Sequence, residues 1–200
     1  MKGVLVSIQP KWCQLIADKK KVVEIRKTRP KLETPFKVYI YCTKGRGDCL
    51  WEWRGHIAYD VQFPNERPNR LDGKVIGEFI CNRIDEYTAE FVNDGDCYED
   101  VRRHWIDDDG EEDFEIITSN GRDNPEDCEL FKNSCLSYAE LKKYIGENFH
   151  DIPFYGWHIS DLKIYDKPKE LSEFFTPMGK RPSYMLERPP QSWCYVEVER

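Results

Sequence analysis

The chain has 200 residues, of which 40% are hydrophobic and 14% aromatic, so it can form a packed core and is not a globally disordered protein. No apolar run approaches the roughly 20 residues that a transmembrane helix needs, and residues 4–6 are too short an apolar run for a signal-peptide core, which predicts a cytoplasmic protein without a membrane anchor. The net charge of −7 conceals a basic segment, residues 1–48 with twelve Lys or Arg and four Asp or Glu, and an acidic one, residues 85–130 with eighteen acids and three arginines.

The first part of the chain predicts strands around one short helix. Residues 3–8 are β-prone. Pro10 suits the first position of a helix, and apolar residues then recur at helical spacing until about Lys19. The β-branched residues of segment 22–26 predict a strand, and residues 36–41 predict the clearest strand of the chain.

The middle of the chain gives weaker signals. Residues 49–73 predict an irregular segment, and residues 74–84 predict a strong strand. The acidic residues 87–133 indicate an insertion in which no periodicity is sustained. Within it, residues 101–106 indicate a helical turn and residues 114–117 a short strand.

The last part of the chain predicts one helix and two strands. A serine–glutamate capping box begins a helix over residues 137–145. Residues 155–165 and 192–198 predict strands, and residues 170–175 a helical turn. Five or six strands with few helices and no βαβ order predict one α+β domain over the whole chain, built on a small β-barrel or a strongly bent sheet.

Eight cysteines are scattered through the chain without a CxxC pair, the close spacing that a zinc ribbon or a redox motif requires. Cys42 with Cys49 and Cys128 with Cys135 are each seven residues apart. A shared metal site and disulfides therefore stay open as alternatives, but we expect reduced thiols, no metal and no cofactor.

Within the basic segment, the acid Glu24 lies on the predicted strand 22–26 among lysines and arginines. Glu24 and Arg26 are two residues apart on a predicted strand, so they point to the same face, roughly 6–7 Å apart along it. With Lys21 they form either a structural ion pair or the polar floor of an open site. In an open site, Glu24 could accept a hydrogen bond from an exocyclic amine of a base and Arg26 could bind a phosphate.

These residues resemble the N-terminal signature of the ASCH domain, a family of the PUA-like superfamily. The family pattern is Gly-x-Lys-x-x-Glu-x-Arg; Lys21, Glu24 and Arg26 match it, and Lys19 stands where the glycine is expected. Later strands are similar to those of bacterial and phage members, so that the resemblance covers residues 3–86 and about 137–198.

The resemblance implies a small PUA-like β-barrel with packed helices and a cleft beside the first helix. It also implies binding of RNA, DNA or modified nucleosides. Some ASCH relatives hydrolyse N4-acetylcytidine with a lysine that matches Lys21 and a threonine three residues later. Glu24 stands in place of that threonine, and a carboxylate cannot replace a hydroxyl nucleophile in the same covalent step.

Other candidate residues surround this motif. Exposed cations would form an electrostatic rim that positions a nucleic acid without reading its sequence; the alternative is a solubilising surface. The rim comprises Lys11, Lys19, Lys20, Lys27, Arg29 and Lys31. Trp12 is either a core residue or a stacking platform for a base, and Ser7 approaches the same cleft only if the family strand arrangement holds.

Three functions follow from these residues. The first is a binding module for RNA or a modified nucleotide, held at Lys21, Glu24 and Arg26. The second is a nucleoside amidohydrolase or ribonuclease, in which Glu24 is the general base and Lys21 stabilises negative charge. The third is a protein-interaction role for the acidic segment.

Overall fold

Residues 2–45, 49–53, 55–59, 69–94, 96–146, 150, 152–177 and 183–198 are described by a computed structural model. These residues are mostly in strands, with three α-helices. The chain divides into two units. The first unit comprises Met1–Lys20, Pro35–Cys81 and Ile159–Arg200, and the second comprises Lys21–Thr34 and Asn82–His158.

The first unit contains six strands of the main sheet. They are β1 (Lys2–Ile8), β3 (Phe36–Cys42), the first part of β7 (Val75–Asp94), the second part of β10 (Phe154–Lys169), β11 (Phe174–Phe175) and β12 (Trp193–Val198). Their order is β11–β12–β1–β3–β7–β10. β1 is parallel to β3 and antiparallel to β12. It is also buried on both faces, as expected for a central strand of continuous apolar sequence.

Helix α1 (Pro10–Ala17) and a small sheet complete the first unit. The helix begins at Pro10, as predicted, and ends earlier than predicted, because Lys19 adopts a left-handed φ of 58°. The small sheet consists of β4 (Leu50–Trp53), β5 (His56–Tyr59) and β6 (Asn69–Arg70) in the order β5–β4–β6. The prediction of an irregular segment over residues 49–73 was therefore wrong where these strands lie, since strands of two to four residues are too short to show alternation. Residues 54 and 60–68 of that segment lie outside the described residues.

The second unit contains β2 (Val23–Arg26), β8 (Asp96–Ile106), β9 (Glu112–Asn120) and the remaining parts of β7 and β10. Their order is β9–β8–β7–β10–β2. The helical turn predicted for residues 101–106 is instead part of strand β8. The strands predicted over 74–84 and 114–117 are present but longer, because β7, β8 and β9 pair with one another along most of the acidic segment.

Two helices cover the core of the second unit. α2 (Glu129–Ser134) was not predicted, whereas α3 (Tyr138–Ile145) follows the predicted capping box. The helices bury their apolar residues against β2, β7, β8 and β10, and the rings of Tyr87 and Phe154 stack there at 5.4 Å. None of the helices in the described ranges has the length and apolar character that crossing a lipid bilayer requires.

The α+β class was predicted correctly, but the barrel was not. The six strands given for the first unit and the five given for the second include β7 and β10 in common. Together they make a sheet of nine strands. Within the described residues its end strands do not pair with each other, so the sheet is not closed. β11, at one end, has only two residues. A strand this short offers few backbone groups for pairing with a further strand.

The capping box of α3 gives a prediction about stability. Ser137 Oγ accepts a hydrogen bond from the Glu140 amide, and the Glu140 carboxylate accepts one from the Ser137 amide. We expect Ser137→Ala to lower the free energy of unfolding by about 1 kcal/mol, measured by urea denaturation. Ser137→Thr retains the hydroxyl and is the control; an equal loss in both variants would contradict a capping role.

Candidate nucleic-acid interface

Strand β2 brings Glu24 and Arg26 onto one face of the second unit. The two residues are separated by one residue, so their side chains project from the same side of the strand. The antiparallel register places Trp157 opposite Glu24 and Tyr155 opposite Arg26 on β10. Lys21 lies just before the strand, and its side chain reaches the same carboxylate.

Lys21, Glu24 and Arg26 form one ionic group, which we call the β2 charge cluster. Arg26 Nη2 lies 2.9 Å from Glu24 Oε1, and Lys21 Nζ lies 3.4 Å from Glu24 Oε2. Lys21 Nζ also donates a hydrogen bond of 2.6 Å to the carbonyl oxygen of Ser134. Two cations therefore share one carboxylate, and a backbone carbonyl is a second acceptor for the lysine.

Helix α2 supplies that carbonyl because the helix ends there. Ser134 is its last residue, and Cys135 adopts a left-handed φ of 53°. The last carbonyl groups of a helix have no intrahelical donor, and a lysine side chain can satisfy them. The Val22 amide also donates to the Asn133 carbonyl, at 2.8 Å. Two successive carbonyls of α2 thus hold the residues that lead into β2.

The β2 charge cluster is closed to solvent. The side chains of Lys21, Glu24 and Arg26 are 2%, 8% and 7% exposed. Of the two alternatives for these residues, a structural ion pair and the polar floor of an open site, the structure has the ion pair, because the three side chains close on one another. Burial lowers the pKa of Lys21 from its ordinary value, and Coulomb attraction to Glu24 opposes that shift.

Two predicted rim cations lie against aromatic rings in the same unit. Lys27 and Arg29 follow β2 and are exposed. Lys27 Nζ lies 5.5 Å from the ring centroid of Tyr144 on α3, and the guanidinium carbon of Arg29 lies 5.6 Å from that of Tyr155 on β10. Neither cation makes an ion pair with any residue in the described ranges. We call these four residues the basic–aromatic surface.

The two tyrosines were missed by sequence reasoning. Tyr144 and Tyr155 are far from Lys27 and Arg29 along the chain, and only the pairing of β2 with β10 and the packing of α3 bring them together. The basic segment indicated where the cations lie. It has no aromatic residue between Lys19 and Lys31, so nothing in it predicted that tyrosines would lie beside them.

Of the other predicted residues, Lys31 lies in the second unit, whereas Ser7, Lys11 and Trp12 lie in the first. Ser7 is buried, and its Oγ donates a hydrogen bond of 2.7 Å to the carbonyl of Pro190. Lys11 is exposed on α1, and its Nζ lies 4.2 Å from the ring centroid of Trp12, which is half-buried. Ser7, Lys11 and Trp12 are therefore not members of the unit that contains the β2 charge cluster.

The first unit also contains a cavity of about 1030 Å³, and none of the predicted site residues lines it. Two of the cations that line it are already paired, Arg70 with Asp72 at 2.7 Å and Lys74 with Glu170 at 3.0 Å. Across the described ranges, no group of three or more His, Cys, Asp or Glu side chains is arranged to hold a metal ion. None of the seven cysteines whose side chains the structure describes is in a disulfide.

Comparison with solved structures supports the family resemblance as a likeness of fold. A mutant form of the ASCH protein of Zymomonas mobilis aligns with a TM-score of 0.51 and 15% identity, over 98% of this chain and 91% of that chain. The fold is ASCH-like. The unmutated Zymomonas mobilis ASCH crystal structure aligns over 98% of this chain and 87% of that chain, with a TM-score of 0.45 and 13% identity. Neither a protein-family model nor a curated protein matches the sequence.

The β2 charge cluster gives a prediction about stability in this ASCH-like chain. Glu24→Gln removes the only carboxylate of the cluster and leaves Lys21 and Arg26 buried, so we expect the free energy of unfolding to fall by about 3–5 kcal/mol. The measurement is urea denaturation at neutral pH. Glu33→Gln, at an exposed acid of the same unit, is the matched control and should change stability by less than about 1 kcal/mol.

The lowered pKa of Lys21 gives a prediction about pH. Between this lowered pKa and the ordinary 10.5, the unfolded chain binds the lysine proton more tightly than the native chain, so the contribution of Lys21 to stability rises with pH. We expect the difference in unfolding free energy, wild type minus Lys21→Met, to increase from about pH 7 to about pH 10. The contributions of titrating tyrosines cancel in this difference, because wild type and variant contain the same tyrosines. A difference that falls with pH would contradict the prediction.

Proposed function

We propose that the protein binds nucleic acid, and specifically single-stranded RNA, through the basic–aromatic surface of its second unit. The observation that carries the proposal is the pair of exposed cations, Lys27 and Arg29, each over a tyrosine ring and without an acidic partner in the described residues. The ASCH-like fold supports the same proposal, since the family resemblance implies RNA or nucleoside ligands.

The charges favour phosphate as one ligand group. Residues 19–31 contain one acid, Glu24, and that acid is already shared by Lys21 and Arg26 inside the β2 charge cluster. The cluster therefore neutralises none of the exposed cations that follow it. Glu86 lies close enough to Tyr155 to raise the pKa of its hydroxyl, but within the described residues neither Lys27 nor Arg29 is in an ion pair. Such cations bind phosphate with release of condensed counterions, so the affinity falls as salt rises.

The aromatic rings favour bases that are not paired. Tyr144 is 36% exposed and Tyr155 is partly exposed, so both have surface that a base could cover. Stacking of a base on an aromatic side chain contributes about 1–3 kcal/mol and tolerates any sequence. Bases in a duplex are stacked on one another and do not offer this surface, which is why we propose a single strand.

The β2 charge cluster has a positioning role in this proposal. Lys21, Glu24 and Arg26 fix β2 against α2, and Lys27 and Arg29 come directly after that strand. The catalytic alternative, with Glu24 as general base and Lys21 as the electrostatic stabiliser, stays a prediction. Both side chains are buried, and no contact of a described residue favours a reaction at them over binding nearby.

The proposal is tested by measuring the affinity of the protein for a fluorescently labelled single-stranded RNA at several salt concentrations. We expect the double variant Lys27→Ala with Arg29→Ala to bind more weakly. We also expect the slope of log affinity against log salt to become shallower by about 1.4, since each lost phosphate contact contributes about 0.7 for a single strand. Tyr155→Ala should weaken binding while leaving the slope unchanged.

The matched control is the double variant Lys2→Ala with Lys163→Ala, which removes the same charge at two exposed lysines of the first unit. An equal loss of affinity in both double variants would mean that binding depends on the overall charge of the protein and not on Lys27 and Arg29. Affinity that does not depend on salt, or an absence of binding at low salt, would disprove the proposal.

A further inference from the structure

Strand β9 forms the free edge of the sheet in the second unit. Within the described residues it pairs with no strand other than β8, although its last residue, Asn120, forms a local bridge with Asp123. Edge strands in natural proteins are commonly protected from pairing by lysine or proline, and Glu112–Asn120 contains neither. The Phe114 amide donates a hydrogen bond of 2.8 Å to the side-chain oxygen of Asp113, which is a local substitute for a neighbouring strand.

One face of this edge is apolar and exposed. The register of β8 and β9 puts Ile106, Phe114 and Ile116 on the same face, where they are 66%, 45% and 53% exposed. Val101, a core residue, lies on the other face. The guanidinium carbon of Arg102 lies 4.6 Å from the ring centroid of Phe114, and Arg102 is itself paired with Glu90, so the apolar face has an ordered support.

Two acids of β9 alternate with its apolar residues, whereas Glu112 lies on the face of Phe114, beside His104. Asp113 and Glu115 project from the face opposite to Phe114 and Ile116, because neighbouring residues of a strand point to opposite sides. Both acids are exposed. Glu115 pairs with Arg103 at 2.6 Å. The outer strand therefore offers a line of backbone groups, an apolar stripe on one side and two carboxylates on the other.

We propose that β9 is a docking site for an extended segment of a partner protein in which basic and apolar side chains alternate. Such a segment would add a strand to the sheet and pair its backbone with β9. Its apolar residues would lie beside Phe114 and Ile116, and its lysines or arginines would lie beside Asp113 and Glu115. This site goes beyond the proposed nucleic-acid function, and it shares no residue with the basic–aromatic surface.

Charge decides between this partner and a second copy of the chain. Pairing β9 with another β9 would place Asp113 and Glu115 of one copy beside acids of the other, and like charges across a strand pair are destabilising. The turn that joins β8 to β9 adds further acids: Asp107, Asp108, Asp109 and Glu111. The same acids attract a cationic strand. Charge therefore disfavours pairing of β9 with β9 of a second copy and favours pairing with a basic segment.

The test uses the full chain and two nine-residue synthetic peptides of the same composition, measured by isothermal titration calorimetry. In one peptide Lys and Val alternate; in the other the lysines are grouped at one end. We expect the alternating peptide to bind on the order of tenfold more tightly, because two or three matched cross-strand pairs of up to about 1 kcal/mol each are lost in the grouped peptide. Equal affinities would overturn the proposal, since both peptides carry the same charge.

A charge exchange gives an independent readout. The double variant Asp113→Lys with Glu115→Lys should lose affinity for the Lys–Val peptide and gain affinity for a peptide in which Glu and Val alternate. Ile116→Ser should weaken binding of the Lys–Val peptide, whereas the matched control Ile152→Ser, at another exposed isoleucine of the unit, should not. All four positions are exposed, so their substitution leaves the core intact. Failure of the charge exchange, or self-association through β9 in sedimentation experiments, would overturn the proposal.

Discussion

The arrangement of the second unit depends on the burial of two cations around one carboxylate. A buried charge without a partner costs several kcal/mol, so Lys21, Glu24 and Arg26 are stable inside the unit only while they remain together. The same lysine donates to the carbonyl that ends α2. The charge cluster therefore joins a strand to a helix that is 113 residues distant along the chain, and the position of β2 follows from that junction.

The basic segment thus divides into a structural part and an exposed part. Lys21 and Arg26 both form ion pairs with Glu24, and these pairs fix the position of the segment. Lys27 and Arg29 come after the strand, remain exposed, and lie against tyrosines that other elements supply. In the binding mode proposed above, buried ion pairs preorganise the surface that binds the ligand. The Glu-x-Arg pair then supports the neighbouring surface.

The sequence predicted the local elements of this fold well and its long-range features poorly. Strands β1, β2, β3 and β12, and the capped helix α3, have β-branched or capping residues that act within a few positions. Strand β8 was taken for a helical turn because its residues 101–106 show no clean alternation, and its pairing with β7 and β9 decides its conformation. The shared face of Glu24 and Arg26 followed from their spacing. Their burial did not, because it depends on α2, which has no clear sequence signal.

The acidic residues of the second unit do not prevent its cations from binding an anion. Acids of the unit are already paired with cations, for example Glu90 with Arg102 and Glu99 with Lys142 at 2.7 Å. Charges farther apart than about 8 Å are largely screened at physiological ionic strength. The cations near Tyr144 and Tyr155 therefore act through their own immediate surroundings, and the net charge of −7 is a poor guide to what either surface binds. One chain can consequently carry a cationic surface and an acidic strand edge, and the two proposals assign to each a partner of opposite charge.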